Sequence, residues 1–276
     1  MPGANARAME KARELPCDTI IFDLEDAVAP DAKETARAQV TSALRSGGYG
    51  HRELVLRVNG LDTPWAEADL AAAAALPLDA VLLPKVESCE QVCAYERGLV
   101  GSRAAKLPLW VMIETPRGVL SIEQILAGCP RVEVVVMGTS DLTKELRARH
   151  TDDRQALAPS LAHCVLVSRA FDRVVLDGVH LDFRNSESFE RACRQGRDLG
   201  FDGKTLIHPS QVEIANAAFG SSADDIDQAR LIVAAWGEAQ SAGKGVAVVN
   251  GRLVESLHAA EAERVLAFAE ALAERG

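Results

Sequence analysis

A chain of 276 residues, 48% apolar and 25% charged, can bury one substantial core and reads as one large domain with a tail. Its formal net charge of −10 argues against a nucleic-acid binder, which carries a basic face, and no apolar run approaches the roughly 18 residues of a membrane span. The opening Met1-Pro2-Gly3-Ala4-Asn5 lacks the basic-then-apolar order of a secretory signal. The six cysteines are scattered without a C-x-x-C pair and read as small buried hydrophobes in a reducing compartment. The expectation is a cytoplasmic enzyme.

Along the chain, short β-branched runs alternate with longer segments of helical period, the mark of βα units around a buried parallel sheet. The pattern predicts helix 4–14, strand 19–22, helix 31–46, strand 54–56, helix 65–75, strand 80–83, helix 88–100, strand 109–113, helix 118–127, strand 132–137, helix 153–171, strand 174–176, helix 187–199 and strand 205–207. Ser88-Cys89-Glu90-Gln91 has the form of a capping box at one helix start. Seven strands point to an α/β (β/α)8 TIM barrel lacking part of its first strand, expected ahead of the first helix, where only Met1-Pro2 stands; a truncated or misassigned start is the expected reason. The barrel is expected over 1–208. Residues 209–276 are expected to form a helix-hairpin-helix extension, with helices 211–218, 224–242 and 257–273 and a hairpin turn at Asn250-Gly251. That extension reads as a lid or subunit contact.

In such barrels the active site is built where strands end in loops at one mouth. The strand ends here deliver Asp23, Glu25, Asp26, Arg57, Lys85, Glu114, Asp141, Asp177 and His208. Several acids with two cations suit a hard cation with oxygen ligands, Mg2+ or Mn2+, and no His/Cys spacing suits zinc. Glu114 ends the most hydrophobic strand and is the leading metal ligand. Asp141, past the next strand, either reaches the same ion or is a helix N-terminal acid favoured by the dipole. Blander readings hold elsewhere: Glu87 faces solvent, His163 packs, Asp177 shapes an Asp-Gly turn, His208 ends a strand, and Trp65, Trp110 and Trp236 are core or interface.

The motifs Phe22-Asp23-Leu24-Glu25-Asp26-Ala27-Val28, Arg57-Val58-Asn59-Gly60, Leu83-Pro84-Lys85-Val86-Glu87-Ser88, Ile113-Glu114-Thr115-Pro116-Arg117-Gly118 and Gly138-Thr139-Ser140-Asp141-Leu142, with the later run from Gly200 to Pro209, stand in order across nearly the whole chain. Together they resemble the citrate lyase β-subunit-like family of the HpcH/HpaI aldolases. The resemblance implies a Mg2+-dependent carbon–carbon lyase that cleaves or forms malyl-, citramalyl- or citryl-CoA, with acetyl-CoA and a 2-oxo acid as partners. It implies Glu114 and Asp141 as metal ligands, Arg57 as the grip on the substrate carboxylate, Glu25 and Asp26 near the metal's water shell, and Lys85 as a mouth lysine. It further implies a homo-oligomer in which the extension reaches a neighbouring subunit's mouth, carrying an aspartate for proton transfer. Glu255 stands at that place here: a working substitute, a sign of another substrate, or a surface charge. The family's opening strand, with an arginine for the CoA end, has no counterpart in this chain. The alternatives are a CoA-independent aldolase on a hydroxy-oxo acid and a non-catalytic metabolite-binding barrel.

Overall fold

Alternation of side chains along buried strands decides what faces the middle of this protein. In the computed structural model, which describes residues 1–275, helix α1 (Ala6–Lys11), capped by the Asn5 side chain, leads to β1 (Thr19–Asp23). The alternation continues through α2 (Lys33–Ser46), β2 (Glu53–Arg57), α3 (Ala66–Ala75), β3 (Ala80–Leu83), α4 (Cys89–Leu99), β4 (Leu109–Ile113), α5 (Pro116–Gly128) and β5 (Val132–Met137). Two helices, α6 (Thr139–Glu145) and α7 (Ala158–Ala170), precede β6 (Val174–Asp177), α8 (Ser186–Leu199), β7 (Gly203–Lys204) and α9 (Val212–Phe219). The seven strands form one parallel sheet in chain order from β1 to β7, the curled α/β sheet expected of this barrel class. Beyond β1, Pro2 bridges Asp23 in parallel; Asp23 N donates to Met1 O at 2.9 Å and Gly3 N to Asp23 O at 2.9 Å. Residues 1–3 thus run alongside the end of β1, on the side where a first strand was expected.

One face of the sheet carries a continuous cluster of Val55, Ala80, Leu82, Trp110, Met112, Val134 and Val136, with Ile21 and Leu176 packed against it. These residues alternate along their strands, so the next positions of the same parity are Asp23, Arg57, Glu114 and Gly138. Asp23, Arg57 and Glu114 therefore each sit one pleat beyond a core residue. The opposite parity, including Leu56, Leu83, Val111, Ile113 and Val135, is fully buried as well, which is why these strands read as unbroken apolar runs.

Three elements differ from the sequence expectation. Helix α6 is seven residues long, too short to show a helical period. The helix expected from 153 starts at Ala158, because Arg154 adopts a left-handed φ of 49°. Strand β7 is only Gly203–Lys204: Thr205 N still donates to Asp177 O at 2.9 Å, but the amides of Ile207 and His208 turn to the Gln211 side chain. The Ser88 side chain caps α4 at Gln91 N, while Gln91 Oε1 accepts from Glu87 N rather than from Ser88, so the box is half formed.

The chain divides into two compact units, Met1–Ala218 and the stretch from Phe219 onward. In the second, α10 (Ala223–Ser241), held at its start by a Ser222–Asp225 capping box, packs on α11 (Ser256–Arg275). Between them β8 (Ala247–Val249) and β9 (Arg252–Val254) pair antiparallel. Asn250 and Gly251 turn that hairpin with φ of 50° and 76°, the doubly left-handed turn that Asn-Gly accepts most readily.

Candidate active site

The mouth is organised around one arginine. Arg57, the last residue of β2, is the register partner of Asp23, the last of β1. Its Nε donates to Asp23 Oδ1 at 2.7 Å and its Nη2 to Asp23 Oδ2. Its Nη1 lies 3.0 Å from Glu25 Oε2 and 3.4 Å from Met112 Sδ. Asp23 also accepts from Glu25 N at 2.8 Å, which bends the following loop back over the strand end. Burial works against a charged Asp23, yet the hydrogen bonds and charge of Arg57 hold its carboxyl below the usual range. Glu25 is moved the other way: burial raises it, with Arg57 and Lys85 opposing.

Glu114 follows β4 and is 2% exposed. Room for it comes from Gly138, at the end of β5, where a Cβ would collide with the Glu114 side chain. Glu114 Oε1 accepts from Lys85 N at 2.8 Å. Lys85 has a φ of 48°, a left-handed conformation costing a lysine about 1 kcal/mol; this turns its N–H to Glu114 while Nζ pairs with Glu25 and lies 3.0 Å from Asp26 Oδ2. Asp141 lies in the first turn of α6. One oxygen each from Asp26, Glu114 and Asp141 falls within 4.8 Å of the others. Burial raises the Glu114 carboxyl to about 8, so a carboxylate there calls for a cation, and three carboxylates with a glycine-cleared pocket fit a hard divalent ion. Asp26 thus joins the cluster, where the sequence reading placed it near the water shell.

Beneath this loop lies a network the sequence reading missed. Lys33, from the first turn of α2, is buried and donates to Leu24 O and Glu25 O, both at 2.8 Å, and to Asn59 Oδ1 at 2.7 Å. Asn59 Nδ2 reaches Leu24 O, its N–H meets Asp69 Oδ2 at 3.0 Å, and Arg37 pairs with Asp69 Oδ1 at 2.7 Å. Only Asp69, an acid inside the alanine run of α3, left a signal in the sequence.

Of the blander readings, some hold and others do not. Asp177 does accept from Gly178 N at 2.8 Å, but it is also fully buried between Arg154 and Lys204, each 2.7 Å away. Glu87 is half-buried and accepts from Thr115 Oγ1 at 2.7 Å, tying the loops after β3 and β4 together. His163 is exposed on α7 rather than packed. His208 lies beyond β7 and stacks on Phe183 with centroids 4.7 Å apart. Trp110 lies in the core cluster. Glu255 belongs to the second unit, where it is exposed between β9 and α11 and its N–H meets His258 Nδ1.

Comparison with known proteins agrees with this architecture. The chain is 49% identical over 273 residues to the (3S)-malyl-CoA thioesterase of Cereibacter sphaeroides (strain KD131 / KCTC 12085), covering 99% of this chain and 94% of that protein. It is 31% identical to the citrate lyase subunit beta of Escherichia coli (strain K12), covering 98% and 91%. The crystal structure of protein CitE from Mycobacterium tuberculosis in complex with magnesium, acetoacetate and coenzyme A superposes with a TM-score of 0.78 at 28% identity, covering 98% of this chain and 96% of that one. Residues 1–209 match the HpcH/HpaI aldolase/citrate lyase family, and the chain belongs to that family.

Proposed function

We propose that this chain hydrolyses the thioester of a short 3-hydroxy acid carried on coenzyme A, of the (3S)-malyl-CoA type, with Mg2+ held by Glu114 and Asp141 and bordered by Asp26. The observation that carries this reading is a fixed guanidinium and a three-carboxylate oxygen cluster at one end of one sheet. The first suits an anionic substrate and the second a hard cation. Identity of 49% to a malyl-CoA thioesterase over nearly the whole chain supports the substrate class, and magnesium and coenzyme A in the related M. tuberculosis structure support the cofactor and the carrier.

Magnesium bound there would supply Lewis acidity toward the oxygens of the acyl group. Arg57 would take the acyl carboxylate on the N–H groups that Asp23 does not use, while Asp23 keeps the guanidinium from rotating. Lys85, held between Glu25 and Asp26, would fix the acidic loop over the mouth. In hydrolysis a water oxygen adds to the thioester carbonyl carbon, the C–S bond breaks, and the CoA sulfur leaves with a proton. Glu255 is the proton-transfer carboxylate of this reading, delivered from the second unit of a neighbouring copy in a homo-oligomer.

A second reading is cleavage of the carbon–carbon bond, supported by the citrate lyase β-subunit relatives; it uses the same metal site and arginine, with the proton passed to a thioester enolate. One experiment separates the two. (3S)-malyl-CoA is incubated with the chain in Mg2+ and in EDTA, and products are resolved by chromatography. Metal-dependent malate and free CoA support hydrolysis, and glyoxylate with acetyl-CoA in equal amounts supports the lyase. Neither product from folded protein with Mg2+ overturns both.

A further inference from the structure

Three thiols outside the proposed reaction meet between α4 and α5. Cys89 is the first residue of α4, Cys93 lies one turn on, and Cys129 caps the C-terminal end of α5. Cys89 Sγ is 2.7 Å from Cys129 Sγ and 3.9 Å from Cys93 Sγ. Cys129 is buried, whereas Cys89 and Cys93 are half-buried. Gly128 leaves room for this approach, since a Cβ there would lie 2.7 Å from Cys89 Sγ.

Two chemistries use clustered thiols, and the distances choose between them. Thiolates sharing a tetrahedral zinc at about 2.3 Å stand roughly 3.8 Å apart. The Cys89–Cys93 pair has that spacing, but Cys89 and Cys129 would have to separate by about 1 Å to reach it. A disulfide at about 2.05 Å asks them to close by only about 0.6 Å. We propose that Cys89 and Cys129 are a peroxide-oxidised pair that forms a reversible disulfide joining α4 to α5.

The roles follow from position. Cys89 is the first residue of α4 and is half-buried, so peroxide reaches its sulfur from solvent. Its sulfur attacks one oxygen of hydrogen peroxide; the O–O bond breaks, hydroxide leaves, and Cys89 becomes a sulfenic acid. Cys129, whose thiol burial and the Cys89 sulfur push up, is the resolving partner. Its sulfur attacks the sulfenic sulfur, the S–S bond forms, and the hydroxyl departs with the Cys129 proton as water. In sum, two thiols and one peroxide give one disulfide and two waters. The loops entering α4 and α5 carry Lys85 and Glu114, already joined by Lys85 N to Glu114 Oε1 at 2.8 Å and Thr115 Oγ1 to Glu87 Oε1 at 2.7 Å. The new bond would tie the start of α4, four residues after Lys85, to the far end of α5.

The test needs no substrate and does not depend on the reaction proposed above. The reduced full chain is treated with a small excess of hydrogen peroxide, its thiols are counted in denaturant, and its peptides are mapped without reduction. Of the six free thiols, two should disappear into a Cys89–Cys129 crosslink that dithiothreitol reverses. C93S should form the same crosslink, and C129S should leave a sulfenic acid at Cys89 that dimedone traps. A dominant Cys89–Cys93 link, sulfinic acid at Cys89 without a crosslink, or an unchanged thiol count in folded wild-type protein would each overturn the proposal.

Discussion

Asp23 and Arg57 face each other across the register of β1 and β2, and their side chains meet as carboxylate and guanidinium with both groups largely buried, 7% and 13% exposed. The pair is a strand contact and a mouth contact at once. Asp23→Asn keeps the shape but removes the charge that balances Arg57. Breaking a buried pair on one side costs about 3–5 kcal/mol, so equilibrium urea unfolding of D23N should show a loss near that range. A loss under 1 kcal/mol would mean that water or Glu25 already compensates Arg57.

Arg57→Lys tests the other half of the relationship. Lysine retains the charge but presents a point ammonium, unable to hold Asp23 on two atoms and still offer a planar edge to a substrate carboxylate. For the thioester hydrolysis proposed above, kcat/KM should fall on the order of 10²-fold, the scale of a misplacement near 1 Å. Mg2+ binding by calorimetry should change little. Equal loss of metal affinity and turnover would assign Arg57 to the metal site instead.

Six of the seven strands were legible because both faces of a parallel sheet are buried, leaving unbroken apolar runs such as Leu109–Ile113; β7, expected at 205–207, is the two residues Gly203–Lys204, too short and polar for such a run. Glu114 was legible because it ends such a run. What the sequence hid are relationships fixed by distant chain segments. Lys33 caps a loop whose carbonyls come from Leu24 and Glu25, and its charge reads like any other on a helix. Lys85 turns left-handed with its amide on Glu114, a partner twenty-nine residues away. Asp177 read as a turn former, since nothing local announces Arg154 and Lys204. Cys129 read as isolated because its neighbour Cys89 lies forty residues earlier.

The buried triad makes an asymmetric prediction. In Lys204→Met, Arg154 still covers the Asp177 carboxylate with two contacts of 2.7 Å. In Asp177→Asn, two cations share a buried site with no anion between them. D177N should therefore lose about 3 kcal/mol or more, and K204M clearly less, in paired urea titrations. The reverse order would show that Lys204, rather than Asp177, anchors the ends of β6 and β7.

Glu114 ties metal binding to pH. Burial raises its carboxyl from 4.5 to about 8, so between those values the folded metal-free chain binds a proton that the unfolded chain has released. The slope of stability with pH is then negative across that window: the Glu114 contribution is present below about 4.5 and is lost as pH rises toward 8. A divalent cation competes with the proton, so Mg2+ affinity should climb over the same interval. Melting temperatures in EDTA and in Mg2+ from pH 5 to pH 8 should diverge as pH rises, and E114Q should remove most of the divergence. Parallel curves for the wild type would place the cation elsewhere.

Lys33 offers the sharpest separation of support from chemistry. Its ammonium touches no part of the carboxylate cluster, yet its three hydrogen bonds hold the loop that presents Glu25 and Asp26. Lys33→Met fills similar volume and removes the ammonium from three acceptors; Asn59 Nδ2 still serves Leu24 O and Val28 N still serves Glu25 O, so the Asn59 oxygen is the group left without its donor. An unsatisfied buried group costs about 1–3 kcal/mol, so a loss of that size is expected in urea unfolding. Freed from that anchor, Asp26 should leave the cluster with Glu114 and Asp141, and Mg2+ affinity should fall several-fold. Unchanged Mg2+ binding in a destabilised K33M would mean that Lys85, through its contacts to Glu25 and Asp26, suffices to hold the loop. In that case K85M should lose metal affinity where K33M does not, and the double variant should lose no more than K85M alone.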